Sequence, residues 1–162
     1  VRLCSKALKY GDDINTDLII AGKYTKTLDK SDLARHVMED LDPEFKSKIK
    51  ESSFLVAGSN FGCGSSREQA PTALKEAGVQ CVVAKSFARI FYRNAINIGL
   101  PLVECDTSLI EEGDLLEYEV GAGVITNRTR GIEIPVAPLP AVMVEILLAG
   151  GVVNYYKNKQ SL

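Results

Sequence analysis

The chain has 162 residues, of which 46% are hydrophobic and 25% charged, and a net charge of −2. That length and balance fit one globular domain, spanning 1–162, that buries its core without staples. The charge and the lack of any basic block exclude nucleic acid as an electrostatic partner. No apolar run reaches the roughly 20 residues of a membrane span. The longest, around Ala141–Gly151, is interrupted by Glu145.

Leu3–Tyr10 reads as a strand that ends in the turn Gly11-Asp12-Asp13, and Asp17–Ile20 as a short extended piece. Ser31–Asp40 reads as a helix capped by Ser31, with Leu33, Val37 and Met38 near helical spacing. Asp42–Ser52 is charged and reads as a solvated loop or short helix. The centre is more regular. Ser53–Ala57 is an apolar strand, and a glycine-rich loop, 58–64, follows it. A helix is expected from Ser65 or Ser66 to Ala77, stopped by Gly78, with its first turn separately ordered or kinked because of Pro71. Cys81–Ala84 is a second strand, Phe87–Ile98 a second helix closed by Gly99, and Leu102–Cys105 a third strand. This alternation predicts a parallel core with right-handed crossovers. Beyond Asp106 the pattern turns antiparallel: Asp114–Val120 and Ile132–Val136 read as strands between turn signals. Leu139–Leu148 is expected as a closing amphipathic helix, ended by Gly150-Gly151. The fold class is α/β, a small parallel core joined to an antiparallel layer.

Four cysteines occur, Cys4, Cys63, Cys81 and Cys105, with no CxxC spacing and one histidine, His36. A zinc or complete cluster site within the chain is therefore not expected. Cys81 and Cys105 read as small core residues. Without a disulfide framework or a signal-peptide pattern at Val1-Arg2-Leu3-Cys4, a reducing cytoplasm is expected.

The chemistry concentrates in Gly58-Ser59-Asn60-Phe61-Gly62-Cys63-Gly64-Ser65-Ser66-Arg67-Glu68. Its glycines, Gly62 and Gly64 among them, let backbone amides approach a ligand. A helix start, two hydroxyls and a guanidinium follow. Together these are the parts of a carboxylate or phosphate site. The plainer reading is a glycine turn with a serine cap. A Walker A loop is excluded because no lysine follows Gly64, and a G-x-S-x-G elbow is absent. Arg89, Arg93 and Asn94 share a helix and read as braces for this loop or as partner contacts. His36 reads as a surface or packing residue.

The string Gly62-Cys63-Gly64-Ser65-Ser66-Arg67-Glu68 resembles the signature of the aconitase-superfamily swivel domain. Residues 84–101, A-K-S-F-A-R-I-F-Y-R-N-A-I-N-I-G-L-P, are similar to a second signature of the small subunits of 3-isopropylmalate dehydratase and homoaconitase. Gly11-Asp12-Asp13-Ile14-Asn15-Thr16-Asp17 is similar to their opening G-D-x-[IV]-x-T-D. The resemblance runs over nearly the whole chain. It implies a swivel-type β/β/α domain that works in a heteromer with a large subunit. That subunit would hold a [4Fe–4S] cluster whose open iron acts as a Lewis acid on the substrate hydroxyl. It implies Ser65 as the base, in alkoxide form, with Ser66 and Arg67 on the substrate carboxylate. Positive charge and preformed N–H donors are what such an alkoxide requires, and Arg67, the helix dipole and the loop amides are the groups that could supply them.

Tyr24-Thr25-Lys26-Thr27 matches the position of the family's substrate-selecting loop, with Gly22 upstream as a hinge. Homoaconitase-like members resemble Y-L-R-T there, and isopropylmalate enzymes often carry an apolar or neutral residue at the arginine position; Lys26 departs from both. Gln69 stands where a histidine is common. The reading is therefore a hydro-lyase small subunit that isomerises hydroxy di- or tricarboxylates by dehydration and rehydration, with 3-isopropylmalate dehydratase of leucine biosynthesis first. Homoaconitase and a dimethylmalate-type dehydratase are the alternatives within the class, and an anion-binding regulatory module the alternative outside it.

Overall fold

A computed structural model of the chain describes residues 1–24, 29–65 and 67–160. Within them run β1 (Arg2–Lys9), α1 (Thr16–Ile19), a 3-10 turn (Gly22–Tyr24), α2 (Lys30–Arg35), α3 (Phe45–Lys48) and β2 (Phe54–Val56). Then come α4 (Gln69–Ala77), β3 (Cys81–Ala84), α5 (Arg89–Asn97), β4 (Leu102–Glu104) and a 3-10 turn (Thr107–Leu109). The chain closes with β5 (Leu115–Glu119), β6 (Val124–Asn127), β7 (Ile132–Pro135), α6 (Ala141–Ala149) and α7 (Val152–Gln160).

All seven strands form one sheet in the order β4-β3-β2-β1-β5-β6-β7. The expected division into a parallel core and an antiparallel layer is observed, and one strand serves both. The second half of β1, Ala7 to Lys9, pairs in parallel with β2. Its first half, Arg2 to Lys6, pairs antiparallel with β5. Alternation along the parallel strands then sorts side chains to two cores. Leu55, Val82 and Leu102 join the helices on one face. Phe54, Val56, Cys81, Val83 and Val103 face Leu116, Tyr118, Ile125 and Ile134 of the antiparallel strands on the other. The result is an antiparallel layer, a parallel layer and a helical layer, the β/β/α order expected.

Several local expectations are corrected. Residues 17–19 are helical, not extended, and Ile20 alone keeps an extended backbone: Asn15 caps α1, its Oδ1 accepting from the Leu18 N–H at 2.9 Å, and this outweighs the strand preference of Leu18-Ile19. Asp29, not Ser31, caps α2, accepting from both the N–H and the hydroxyl of Ser31. α2 ends at Arg35, because Met38 takes a left-handed φ of 60° and turns its N–H to the Ile19 carbonyl at 2.7 Å. The charged 42–52 stretch carries the short helix α3, and two of its residues, Phe45 and Ile49, are core. The closing helix α6 starts at Ala141 behind Pro140 and, apart from Glu145, is apolar on every side, with Val142 and Leu148 about half exposed. Gly150-Gly151 is a helix–helix junction, and α7 beyond it was not expected; its V-V-N-Y-Y start carries strand formers and no clear helical period.

A polar tie supports the end of β1. Asp42 accepts from the Tyr10 hydroxyl and from Lys48 Nζ, each at 2.8 Å. The Lys48 bond, against the opposing effect of burial, holds the Asp42 carboxyl below the usual carboxylate range. A depressed folded value stabilises the fold above the unfolded value near pH 4, and the benefit is lost as pH falls through the folded value. Asp42→Asn should therefore lower stability at neutral pH, and its deficit relative to wild type should shrink below about pH 4 in urea unfolding.

Candidate active site

The loop after β2 lies outside the carboxyl ends of the parallel strands, where α/β sheets place their ligands. Two other segments hold it. The opening motif contributes almost residue by residue. Asp12 Oδ1 accepts from the Ser59 N–H at 2.7 Å, and the Asp13 N–H donates to the Ser59 carbonyl at 2.9 Å. Asn60 Nδ2 reaches Asp13 Oδ1 at 3.3 Å. The buried Ile14 accepts from the Gly62 N–H at 2.8 Å, and the Thr16 N–H donates to the Cys63 carbonyl at 2.9 Å. The Thr16 hydroxyl, itself buried, donates to the Ser65 carbonyl at 2.8 Å. Asp17 Oδ1 closes the series on Arg67 Nη1 at 2.7 Å.

The segment after β3 holds the opposite edge. Ser86 accepts the Asn60 N–H on its hydroxyl and the Phe61 N–H on its carbonyl. Phe61 is buried edge-on against Phe87 and Phe91. Gly62 stands directly over this cluster at a φ of +83°; a Cβ there would run into Phe91. At Gly64, φ +95°, the demand is conformational, since an added Cβ would meet only ordinary contacts. Ser86, Phe87 and Phe91 brace the loop on this side, and Arg89 borders a separate hollow of about 270 Å³ with Tyr92, Glu104 and Leu139.

The structure thus brings Gly62, Gly64, Ser65 and Arg67 together, with Gly64 and Ser65 exposed to solvent. Arg67 is mostly covered. Its Nη1 also reaches the Ile20 carbonyl at 3.4 Å, and its guanidinium lies against Gly22, where an added Cβ would sit 3.1 Å from both Nη1 and Nη2. Gly22 therefore matters as a close-approach position, which a hinge reading did not anticipate. Asp17 braces the opening loop through its ion pair with the arginine of the glycine loop. Thr16 was missed, although the T-D pair in the opening motif was its signal. Ser66, Lys26 and Thr27 lie outside the described residues.

One electrostatic expectation needs correction. α4 begins at Gln69, so Ser65 is not at its cap. Pro71 sets this start: it has no N–H to donate and clashes with the carbonyl four residues back, so it is tolerated only within the first turn. A helix from Ser65 would have placed it in the second. The charge and donors available to Ser65 thus come from Arg67 and the loop backbone, more than from the helix dipole.

No group of three or more His, Cys, Asp or Glu side chains that could hold a metal is found among the described residues. Cys81 is buried and Cys105 mostly so, and burial pushes both thiols up, that of Cys105 to about 12. Neither is a ready metal ligand. No helix among the described residues is long and apolar enough to cross a membrane.

Residues 8–107 match the family of the aconitase C-terminal domain. The chain is 54% identical to the 3-isopropylmalate dehydratase small subunit of Caldanaerobacter subterraneus subsp. tengcongensis, over 95% of this chain and 97% of the relative. It is 56% identical to the 3-isopropylmalate dehydratase small subunit 2 of Archaeoglobus fulgidus, over 97% and 96%. Among solved structures, 3-isopropylmalate dehydratase (leuD) from Methanocaldococcus jannaschii superposes with a TM-score of 0.93 at 45% identity, covering 99% of this chain and 96% of that one.

The geometry makes two substitutions informative. Thr16→Val should cost about 1 kcal/mol of unfolding free energy, the worth of one hydrogen bond. Gly62→Ala should cost more, roughly 2–4 kcal/mol, because it adds overpacking against Phe91 to a left-handed backbone. Urea denaturation of the two variants checks the order.

Proposed function

The chain belongs to the family of 3-isopropylmalate dehydratase small subunits, hydro-lyases built on the aconitase C-terminal domain, and we propose that its loop 58–67 is the half-site that removes a proton from substrate and binds a substrate carboxylate. The observation that carries this reading is the contrast between the two side chains. Ser65 is exposed while its carbonyl is pinned by Thr16, and Arg67 is held in place by Asp17 and Ile20. A pinned backbone under a free hydroxyl is what a base that must meet a substrate needs.

The roles are assigned as follows. Ser65 Oγ, in alkoxide form, takes the proton from the carbon beside the substrate carboxylate. Arg67 receives that carboxylate through Nη2 and Nε, since its contacts to Asp17 and Ile20 both use Nη1. Its positive charge also lowers the cost of the alkoxide two residues away. Ser66 adds a hydroxyl to the carboxylate, and Gly62 and Gly64 keep the backbone close to it. Lys26 and Thr27 contact the variable end of the substrate.

The substrate we assign is 3-isopropylmalate, in leucine biosynthesis, in preference to homoaconitate or a dimethylmalate-type acid. The chain acts as one swivel domain, 1–162, in the cytoplasm, against a large subunit that carries the [4Fe–4S] cluster. The chemistry of its own cysteines supports placing the cluster there. A purely regulatory anion module would have no need of an exposed serine on a pinned backbone beside the arginine.

In the complex with the large subunit, Ser65→Ala should lower kcat by about 10²–10⁴ while assembly is unchanged. Turnover within a few-fold of wild type would exclude Ser65 as the base. Arg67→Lys should raise KM, because the charge remains but the planar fork is lost. For the loop, Lys26→Leu should favour 3-isopropylmalate over homoaconitate by the roughly 1–3 kcal/mol of a few methylene contacts, read as a ratio of kcat/KM values. An unchanged ratio would take Lys26 out of substrate selection.

A further inference from the structure

The chain's one histidine lies outside the glycine loop, at the C-cap of α2. The His36 ring is stacked on Tyr24 with centroids 3.8 Å apart and planes within 1°. Full face-to-face overlap is unfavourable between two rings of similar electron density, because their quadrupoles repel. Such a stack needs an anchor at the ring edge, and Glu39 Oε2, 3.1 Å from His36 Nδ1, supplies one. Burial raises the Glu39 carboxyl, but hydrogen bonds from His36 and Tyr24 and the charge of Lys23 outweigh it and hold the group below its ordinary value. Lys23 Nζ stands 5.1 Å from the Tyr24 ring centroid. These four side chains make one clamp.

The clamp holds both backbone segments that touch Arg67. Tyr24 ends the 3-10 turn that Gly22 begins, closed by the Tyr24 N–H on the Ala21 carbonyl at 3.0 Å. Gly22 lies against the guanidinium. Two residues beyond His36, the Met38 N–H holds the Ile19 carbonyl, and the next carbonyl, that of Ile20, accepts from Arg67 Nη1.

We propose that His36 is a positioning residue for Arg67: by stacking on Tyr24 and bonding Glu39, it fixes the turn and the α1 end that set where the guanidinium sits. It touches no reacting atom. The proposal rests on the reading of Arg67 as the carboxylate ligand.

The test is steady-state kinetics of the complex with the large subunit. His36→Ala should raise KM about fivefold with kcat within twofold of wild type, since a displaced Arg67 loses binding common to ground and transition states. His36→Arg should restore KM to within about twofold, because a planar cation can stack on Tyr24 and bond Glu39 as well. A merely structural histidine would instead lower the fraction of folded enzyme, and so kcat at constant KM. An unchanged KM in His36→Ala, or an Arg variant no better than the Ala variant, overturns the proposal. Arg67→Lys in the same assay separates the two failures. If it raises KM and His36→Ala does not, only the positioning role falls. If Arg67→Lys leaves KM unchanged, the reading of Arg67 falls and the role of His36 with it.

Discussion

The site depends on the pairing of two irregular segments, the opening motif 11–17 and the glycine loop 58–67. Neither is a strand or a long helix, so neither satisfies its backbone groups internally, and each does so on the other. Buried or half-buried N–H and C=O groups left without partners cost roughly 1–3 kcal/mol each, so the pairing is strongly specified. It runs from Asp12 on Ser59 to Asp17 on Arg67, in register with the chain. The two segments also form an isolated parallel bridge, Asn15 with Cys63, that continues the direction of β1 and β2 beyond their last ladder pair. The parallel sheet sets the spacing of the segments, and the motifs carry that order out to the site.

This arrangement explains why the three motifs that carry the family resemblance lie far apart in sequence. Residues 11–17 and 84–101 flank the loop from either side in space. The first offers acceptors and a hydroxyl, the second an aromatic floor and Ser86. Gly64 and Ser65 are left facing solvent at the end of the loop next to Arg67.

Much of the fold was legible because it rests on signals with a fixed period. Cys81–Ala84 was read with its observed bounds, and Gly78 and Gly99 were read as helix ends from the left-handed conformation they supply. The β/β/α order came from the resemblance and from the change of pattern near Asp106. What failed was local and had local causes. Pro71 overrode the expected helix start at Ser65, and its presence in the sequence was sufficient to show this. Asp29 acted as the cap where Ser31 seemed better placed, and Asn15 capped a helix where an extended piece was expected. α7 was hidden because packing, not periodicity, holds its strand-forming residues in a helix. At the site, the glycines, Ser65 and Arg67 could be found from the motif alone. The partners of Arg67 could not, because Asp17, Ile20 and Gly22 meet it only through the fold.

The opening motif preforms the glycine loop before any partner or substrate arrives. Amide hydrogen exchange of the full chain on its own tests it most directly. Ser59, Gly62 and the Thr16 N–H should be protected from exchange to a degree approaching the β2 and β3 amides, and Asp12→Ala should weaken that protection at Ser59 first. Exchange of these amides at the rate of an unstructured peptide, with protection appearing only when the large subunit is added, would contradict the account.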